Sequence, residues 1–342
     1  MSPKNLSVSN KTHKFLLNKL KDKETLNIYK KFERHLDLKD NFIVAVSGGP
    51  DSLALSFLSK IYSINKSVKV KYFIVDHKLR KQSTNEVKIV KRLFKILDTK
   101  LYVLSWNGKK PKNNIQSIAR RKRYNLLLNQ AKKLKINNIV LGHHKDDFYE
   151  NFFIRILRGS GLNGIVSFDK NSKEQNINLI RPLLNFSKQE LQNITKKVFN
   201  SYIQDPSNED DKYKRVKIRN FIRKLQTEGL DLEKFKLTVN NLKYANESIK
   251  FFTKKNIDDN SITIKNKKSI LLNNQFFNQP EEIVFRSLTQ IINTVGKKYY
   301  PSRGKKIEKI ISELKNQHFF KTTLGNCIIK RVNKTILVSK ER

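Results

Sequence analysis

Apolar and polar stretches alternate along the first two thirds of the chain with a regular change of period. Five consecutive apolar residues, Phe42-Ile43-Val44-Ala45-Val46, run straight into Ser47-Gly48-Gly49-Pro50-Asp51-Ser52. After that loop Leu53, Ala54, Leu55, Phe57 and Leu58 recur on a helical spacing. The pattern predicts a buried strand, a tight loop and a helix. Further strands are expected at Val68 to Val75, Lys100 to Ser105 and Asn138 to Leu141, separated by helices from about Ser83 to Leu97 and from Ile115 to about Leu134. Such alternation predicts an α/β fold, a parallel doubly wound sheet with helices on both faces. A helix from about Lys145 to Leu157 then runs into a glycine-rich loop at Arg158 to Gly164, and a strand follows at Ile177 to Ile180. Ser187, with Glu190 three residues on, predicts a capping box that opens the next helix.

The period changes again beyond a basic helix spanning Lys212 to about Gln226, which stops at Gly229. A long helix to about Asn256, short strands at 262–264 and 270–272, helices at 281–295 and 302–314 and three closing strands (319–323, 327–331 and 335–339) predict a smaller C-terminal helical plus α/β domain. The expected organisation is an N-terminal extension and helix over 1–40, a catalytic domain over 41–228, and a connector helix with a C-terminal domain over 229–342.

Charge changes this picture more than length does. Lys and Arg number 71 against 30 Asp and Glu, a net charge of +41 in 342 residues. That excess favours a polyanionic partner, nucleic acid first, although coding bias toward Lys, Asn and Ile offers a bland source for part of it. The one cysteine, Cys327, excludes an intrachain disulfide and any zinc or redox site built on paired cysteines. No run of about 18 apolar residues is present, so no membrane partner is expected and the cytoplasm is the expected compartment. Oligomeric state stays open, a homodimer included.

The loop at 47–52 has the chemistry of a phosphate cradle. Gly48 and Gly49 let the backbone approach an anion, and the start of the following helix turns N–H groups and a positive dipole end toward it. Ser47 and Ser52 add hydroxyls, Pro50 lies in the tight loop, and Asp51 can hold Mg2+ against the phosphates. The Gly-Lys-Ser/Thr ending of P-loop enzymes is missing, so the loop has no lysine for the terminal phosphates. Asp76-His77 and Gly142-His143-His144-Lys145-Asp146-Asp147 also fall at strand carboxyl ends, where ligands bind in such sheets. On the next helix Asp146 and Glu150 are four residues apart and share a face. Arg120 and Arg123, three apart on another helix, suit bidentate contact with phosphate or carboxylate.

Ser-Gly-Gly-Pro-Asp-Ser resembles the pyrophosphate-binding loop of the N-type ATP pyrophosphatases, the PP-loop superfamily with its adenine nucleotide alpha hydrolase-like fold. Together with Asp76-His77-Lys78-Leu79-Arg80, Ala119-Arg120-Arg121-Lys122-Arg123-Tyr124, the 142–147 motif, Leu157-Arg158-Gly159-Ser160-Gly161 and Asp205-Pro206-Ser207-Asn208, the ordered set resembles the bacterial tRNA(Ile)-lysidine synthases over residues 42 to about 222. Pro301 to Ile329 is similar to their C-terminal module. The resemblance implies ATP-dependent ligation of L-lysine to C2 of the wobble cytidine of a CAU-anticodon isoleucine tRNA, through an adenylated cytidine. It implies ATP binding by residues 47–52, Asp76, His77 and His143, with Mg2+ at Asp51. Catalytic roles fall to Asp51, Arg120, Asp146, Asp147 and Glu150, and lysine binding to Arg120, Arg123, Asp146 and Glu150. Contact with tRNA falls to Arg158, Lys212, Arg215, Lys217, Arg219, Arg223 and the C-terminal domain. Two positions depart from the pattern: Asn151 stands where the family has Thr, and Val216 where it has Asn. Within the superfamily a tRNA thiolase is the nearest rival, but it needs more cysteines than one. A basic RNA-binding protein without catalysis is the rival from another class.

Overall fold

The computed structural model describes residues 12–79, 82–106, 108, 115–204, 214–264, 269–297, 304–315 and 319–341. Arg80, Asp205 to Asn208, Lys212 and Pro301 to Arg303 lie outside the described residues. The chain forms two compact units, divided between Leu230 and Asp231.

In the first unit, α1 (Lys23–Leu36) precedes β1 (Phe42–Val46), α2 (Pro50–Lys66), β2 (Val70–Asp76), α3 (Ser83–Leu93), β3 (Leu101–Ser105), α4 (Ile115–Lys133) and β4 (Asn138–Leu141). Then come α5 (Lys145–Ile156), α6 (Leu162–Ile165), β5 (Asn171–Glu174), β6 (Ile177–Ile180), α7 (Lys188–Phe199) and α8 (Lys214–Thr227). The sheet order is β3-β2-β1-β4-β6-β5. β1 is central: Val44 aligns with Tyr72 on one side and Val140 on the other, both in parallel. Its residues alternate between two cores, Phe42, Val44 and Val46 facing one and Ile43 the other, which is why the strand reads as an unbroken apolar run. The chain builds outward from β1 through β2 to β3 and then returns to place β4 on the opposite side of β1. That reversal makes the β1/β4 boundary the switch point of the sheet.

Two elements differ from expectation. β5 runs antiparallel to β6 at the sheet edge, joined through Gln175 and Asn176, both at positive φ. Its sequence, Asn171-Ser172-Lys173-Glu174, carries no apolar alternation because an edge strand exposes much of its surface to water. The glycine-rich loop is shorter than expected, since Gly161 caps a single helical turn, α6.

In the second unit α9 (Leu232–Asn260) is capped by Asp231, whose carboxylate accepts from the Glu233 and Lys234 N–H groups. β7 (Ser261–Ile264), β8 (Ser269–Leu272), α10 (Glu281–Gly296), α11 (Gly304–Lys315), β9 (Lys321–Leu324), β10 (Cys327–Val332) and β11 (Thr335–Lys340) follow. The strands form one antiparallel sheet, β7-β8-β11-β10-β9. Leu272, Phe276, Leu288, Ile291, Cys327 and Val338 are fully or almost fully buried in its core. Gly296 permits the closest approach there, because a Cβ would sit 1.9 Å from the Gly325 carbonyl oxygen.

Candidate active site

A cleft of about 410 Å³ opens at the carboxyl ends of β1 and β4 and is floored by the 47–52 loop. Ser52 Oγ organises that loop: the N–H groups of Ser47 and Gly48 both donate to it at 3.1 Å, and it donates to the Gly49 carbonyl at 3.0 Å. The Ser47 hydroxyl lies 3.1 Å from the same oxygen. The serine hydroxyls and the Gly48 N–H therefore act inside the loop, holding its curvature. Gly48 takes φ +87°, and a Cβ there would come within 2.6 Å of Val90 Cγ2; glycine is required by conformation and by space. Gly49 caps α2 and Pro50 takes its first position, where a missing N–H costs nothing. Two outside groups fix the loop from α7 and beyond. Thr195 Oγ1 donates to the Pro50 carbonyl at 2.7 Å, and the Ile203 N–H donates to the Gly48 carbonyl at 2.9 Å.

Asp51 faces the cleft from the first turn of α2. Burial pushes its pKa above the usual carboxylate range. Its Oδ1 is buried with no hydrogen-bond partner among the described residues, and Oδ2 lies 3.7 Å from His144 Nε2. The His144 ring caps α5 by accepting the Asp146 N–H on Nδ1 at 3.2 Å. With Nδ1 occupied as acceptor, a neutral ring carries its hydrogen on Nε2, which also lies 3.7 Å from Asp147 Oδ2.

Asp147 and Glu150, three apart on α5, meet Arg215 and Arg219, four apart on α8. Arg215 Nη1 lies 3.6 Å from Asp147 Oδ1, and Arg219 Nε is paired with Glu150 Oε1. The edge-on rings of Phe153 and Phe221 add an apolar contact between the two helices. The two carboxyls titrate apart. Burial raises both, but at Asp147 it is outweighed by His143, His144, Arg215 and the His144 N–H, which hold the group below the usual range. At Glu150, only 1% exposed, burial outweighs Arg219 and the pKa is raised. Glu150 Oε2 is buried without a partner among the described residues.

Arg120, Arg123 and Tyr124 line the opposite wall. Arg120 donates to the Tyr124 hydroxyl at 3.4 Å, and burial with the charges of Arg120 and Arg215 pushes the Arg123 pKa down against the pull of Tyr124. The His143 ring packs edge-on against Phe168, which in turn carries the Arg181 guanidinium 4.9 Å from its centre. Burial pushes the His143 pKa well below its ordinary value.

The cleft thus gathers Ser47, Gly49, Pro50, Asp51 and Ser52 with Arg120, Arg123, His143, Asp147, Arg215 and Arg219. Gly48 supports it from behind, and Glu150 meets it through Arg219. Arg215 and Arg219, expected to contact tRNA, line the cleft and pair there with Asp147 and Glu150. Asp76 and His77 do not line it. Asp76 accepts from the Lys78 N–H and the hydroxyls of Ser83 and Thr84, shaping the turn into α3, and burial holds the His77 pKa at about 4. The Asp146 side chain is half exposed. Arg158, Lys217 and Arg223 are exposed outside the cleft. Of the two departures from the family pattern, Asn151 accepts from Arg155 Nε one turn along its own helix at 3.0 Å, and Val216 is buried. Sequence reasoning missed Lys188 and Gln192 of α7 and Tyr202 and Gln204 beyond it, all of which line the cleft. The capping box revealed where α7 starts, but no local pattern tells which loop it lies beside.

A parallel sheet with a glycine loop at its switch point and buried carboxylates beside it defines an ATP-using protein of the PP-loop class. The profile of the PP-loop domain matches residues 18–226. A solved U34-tRNA thiolase from Methanococcus maripaludis, described with its [4Fe-4S] cluster, shares the fold at TM-score 0.56 and 15% identity, over 66% of this chain and 78% of that one. Similarity in sequence is closer to tRNA(Ile)-lysidine synthases. That of Wolbachia pipientis wMel is 32% identical over 87% of this chain and 70% of its own length. That of Rickettsia akari is 30% identical over 92% of this chain and 74% of its own. The chain belongs to the tRNA(Ile)-lysidine synthase family.

Proposed function

We propose that this chain ligates L-lysine to C2 of the wobble cytidine of a CAU-anticodon isoleucine tRNA, converting ATP to AMP and pyrophosphate. In the first step the cytidine O2 attacks the α-phosphorus, an O–P bond forms, and the bond to the β-phosphate breaks. In the second the lysine ε-amine attacks C2, the amine loses a proton, and AMP leaves with its oxygen. The observation that carries this reading is Asp147 in the cleft beside the phosphate loop, with Glu150 one helical turn on, buried behind Arg219. An ionised carboxylate at Asp147 suits an ammonium group, and a raised carboxyl at Glu150 suits proton uptake. Asp146, half exposed at the rim, supplements their charge.

The glycine loop and the start of α2 bind and orient the departing pyrophosphate. Arg120 and Arg123 hold the adenylate phosphate or the lysine carboxylate, and His143 borders the nucleotide. Mg2+ fits at Asp51, whose buried Oδ1 lacks a partner. Among the described residues no three His, Cys, Asp or Glu side chains gather to hold a metal by themselves, which suits an ion completed by phosphate oxygens. Bound there, it supplies positive charge beside the leaving group. Arg158, Lys212, Lys217 and Arg223 serve the tRNA backbone, with the C-terminal unit as a further contact region. Thiolation is disfavoured because the single cysteine, Cys327, is buried in the second unit and donates to the Ile292 carbonyl. No helix among the described residues is long and apolar enough to cross a membrane, and the substrates belong to the cytoplasm.

The test mixes the protein, ATP, magnesium and labelled lysine with unmodified isoleucine or methionine tRNA. Label entering the isoleucine tRNA alone, with AMP formed in step, is the expected result. AMP without label would redirect the search to another nucleophile, and tRNA binding without AMP would leave an RNA-binding protein.

A further inference from the structure

The 47–52 loop lacks the lysine with which P-loop proteins grip terminal phosphates, yet the cleft above it holds one. Lys188 is the first residue of α7, immediately after the Ser187 cap. A cation there opposes the positive end of the helix dipole, so helix stability gives no reason for it. It is exposed, makes no ion pair among the described residues, and lines the cleft together with Ser47, Gly49, Asp51 and Ser52. Its charge acts on the Asp51 carboxyl.

The rest of that helix face turns the same way. Gln192, one turn on, also lines the cleft. Thr195, a further turn on and fully buried, donates to the Pro50 carbonyl at 2.7 Å. Positions i, i+4 and i+7 lie along one face of a helix, so the Thr195 bond locks Lys188 and Gln192 over the phosphate loop. The far end of α7 is secured to α1 by Lys197, which pairs with Asp22 and Glu24 at 2.7 and 2.9 Å.

We infer that α7 forms the second wall of the pyrophosphate site, with Lys188 binding the terminal phosphates of ATP, Gln192 adding a hydrogen bond, and Thr195 acting as a positioning residue. The missing lysine of the loop is supplied from a helix that begins 136 residues after Ser52. This rests on the proposed function for its reaction but not for its ligand, since pyrophosphate can be tested without tRNA.

The experiment titrates pyrophosphate with magnesium into wild-type protein, Lys188→Ala, Lys188→Arg and Thr195→Val by calorimetry, and measures KM for ATP and lysine and Kd for tRNA on the same samples. Lys188→Ala is expected to weaken pyrophosphate binding and raise KM for ATP about tenfold, the loss of one charge-assisted hydrogen bond. Lysine KM and tRNA affinity should not move, and Lys188→Arg should recover most of the loss. Thr195→Val should raise KM for ATP with an unchanged melting temperature, and Thr195→Ser should restore it. Unchanged pyrophosphate binding in Lys188→Ala overturns the inference, even where lysine transfer proceeds. So does weaker tRNA binding with unchanged pyrophosphate binding, which would assign Lys188 to the RNA. A wild-type protein that binds pyrophosphate through Lys188 but transfers no lysine would leave the inference standing and remove the functional reading instead.

Discussion

The two units bury polar groups of different kinds. In the C-terminal unit the polar residues that are almost fully buried are neutral and bonded: Asn256 donates to the Phe276 carbonyl and to Ser287, Ser287 donates to the Thr253 carbonyl, and Asn246 accepts at 2.7 Å from Arg286, a less buried cation that also pairs with Glu282 and keeps Nη2 without a partner among the described residues. In the N-terminal unit they include charges, concentrated where the central strands end. Asp51 and Glu150 each keep a buried oxygen without a partner among the described residues, and Asp147 and Glu150 lean on arginines of another helix. Burying an ion without full compensation costs stability, and a fold tolerates it where a ligand or a reaction supplies the missing interaction. The N-terminal unit therefore gathers its buried acids around one cleft, where a substrate can complete them.

That contrast can be broken by substitution. Asp51→Ala should reduce lysine transfer by at least about 10³-fold, the scale of losing a group aimed at developing charge, while the melting temperature holds or rises because a costly buried carboxyl is gone. A fall in both would place Asp51 among the structural residues. Arg219→Ala should destabilise the first unit by about 3 kcal/mol, because it strands the Glu150 carboxylate in the interior; denaturant unfolding measures this, and Glu150→Gln in the same background should recover part of the loss. Leu288→Ala in the second core should cost about 2–3 kcal/mol and leave pyrophosphate binding unchanged, which calorimetry on the folded variant decides. The smallest effect is on pH dependence. The unfolded chain takes up a proton at His77 near pH 6.5 and the folded one only near pH 4, so stability is complete above pH 6.5 and falls as pH drops toward 4. His77→Gln should remove up to about 1 kcal/mol of that fall, allowing for water around a partly exposed ring, as melts at pH 7 and pH 4.5 would record.

Much of the fold was legible because its strands are buried on both faces. β4 and β6 coincide with their apolar runs, and the Ser187–Glu190 box closes as expected, with Ser187 N–H donating to Glu190 at 2.7 Å. β5 escaped because an exposed edge strand needs no apolar pattern, and α6 because glycines conceal a single turn. In the site, the loop and the 142–147 motif were legible because strand ends carry their chemistry in contiguous residues. The pairing of Arg215 with Asp147 and of Arg219 with Glu150 was not, since the spacing of a basic helix face does not say which carboxylates of another helix it meets.

The sequence by itself determined the alternation of strand and helix, the φ +87° turn that only Gly48 satisfies comfortably, and the residue types of the phosphate loop, because each depends on neighbours a few positions away. Only the tertiary structure decided which charges meet. Asp147 and Glu150 find Arg215 and Arg219 about seventy positions later, and Lys188 reaches the loop from α7, because the order of strands and the packing of helices bring distant segments together. Short-range patterns carry no record of that distance.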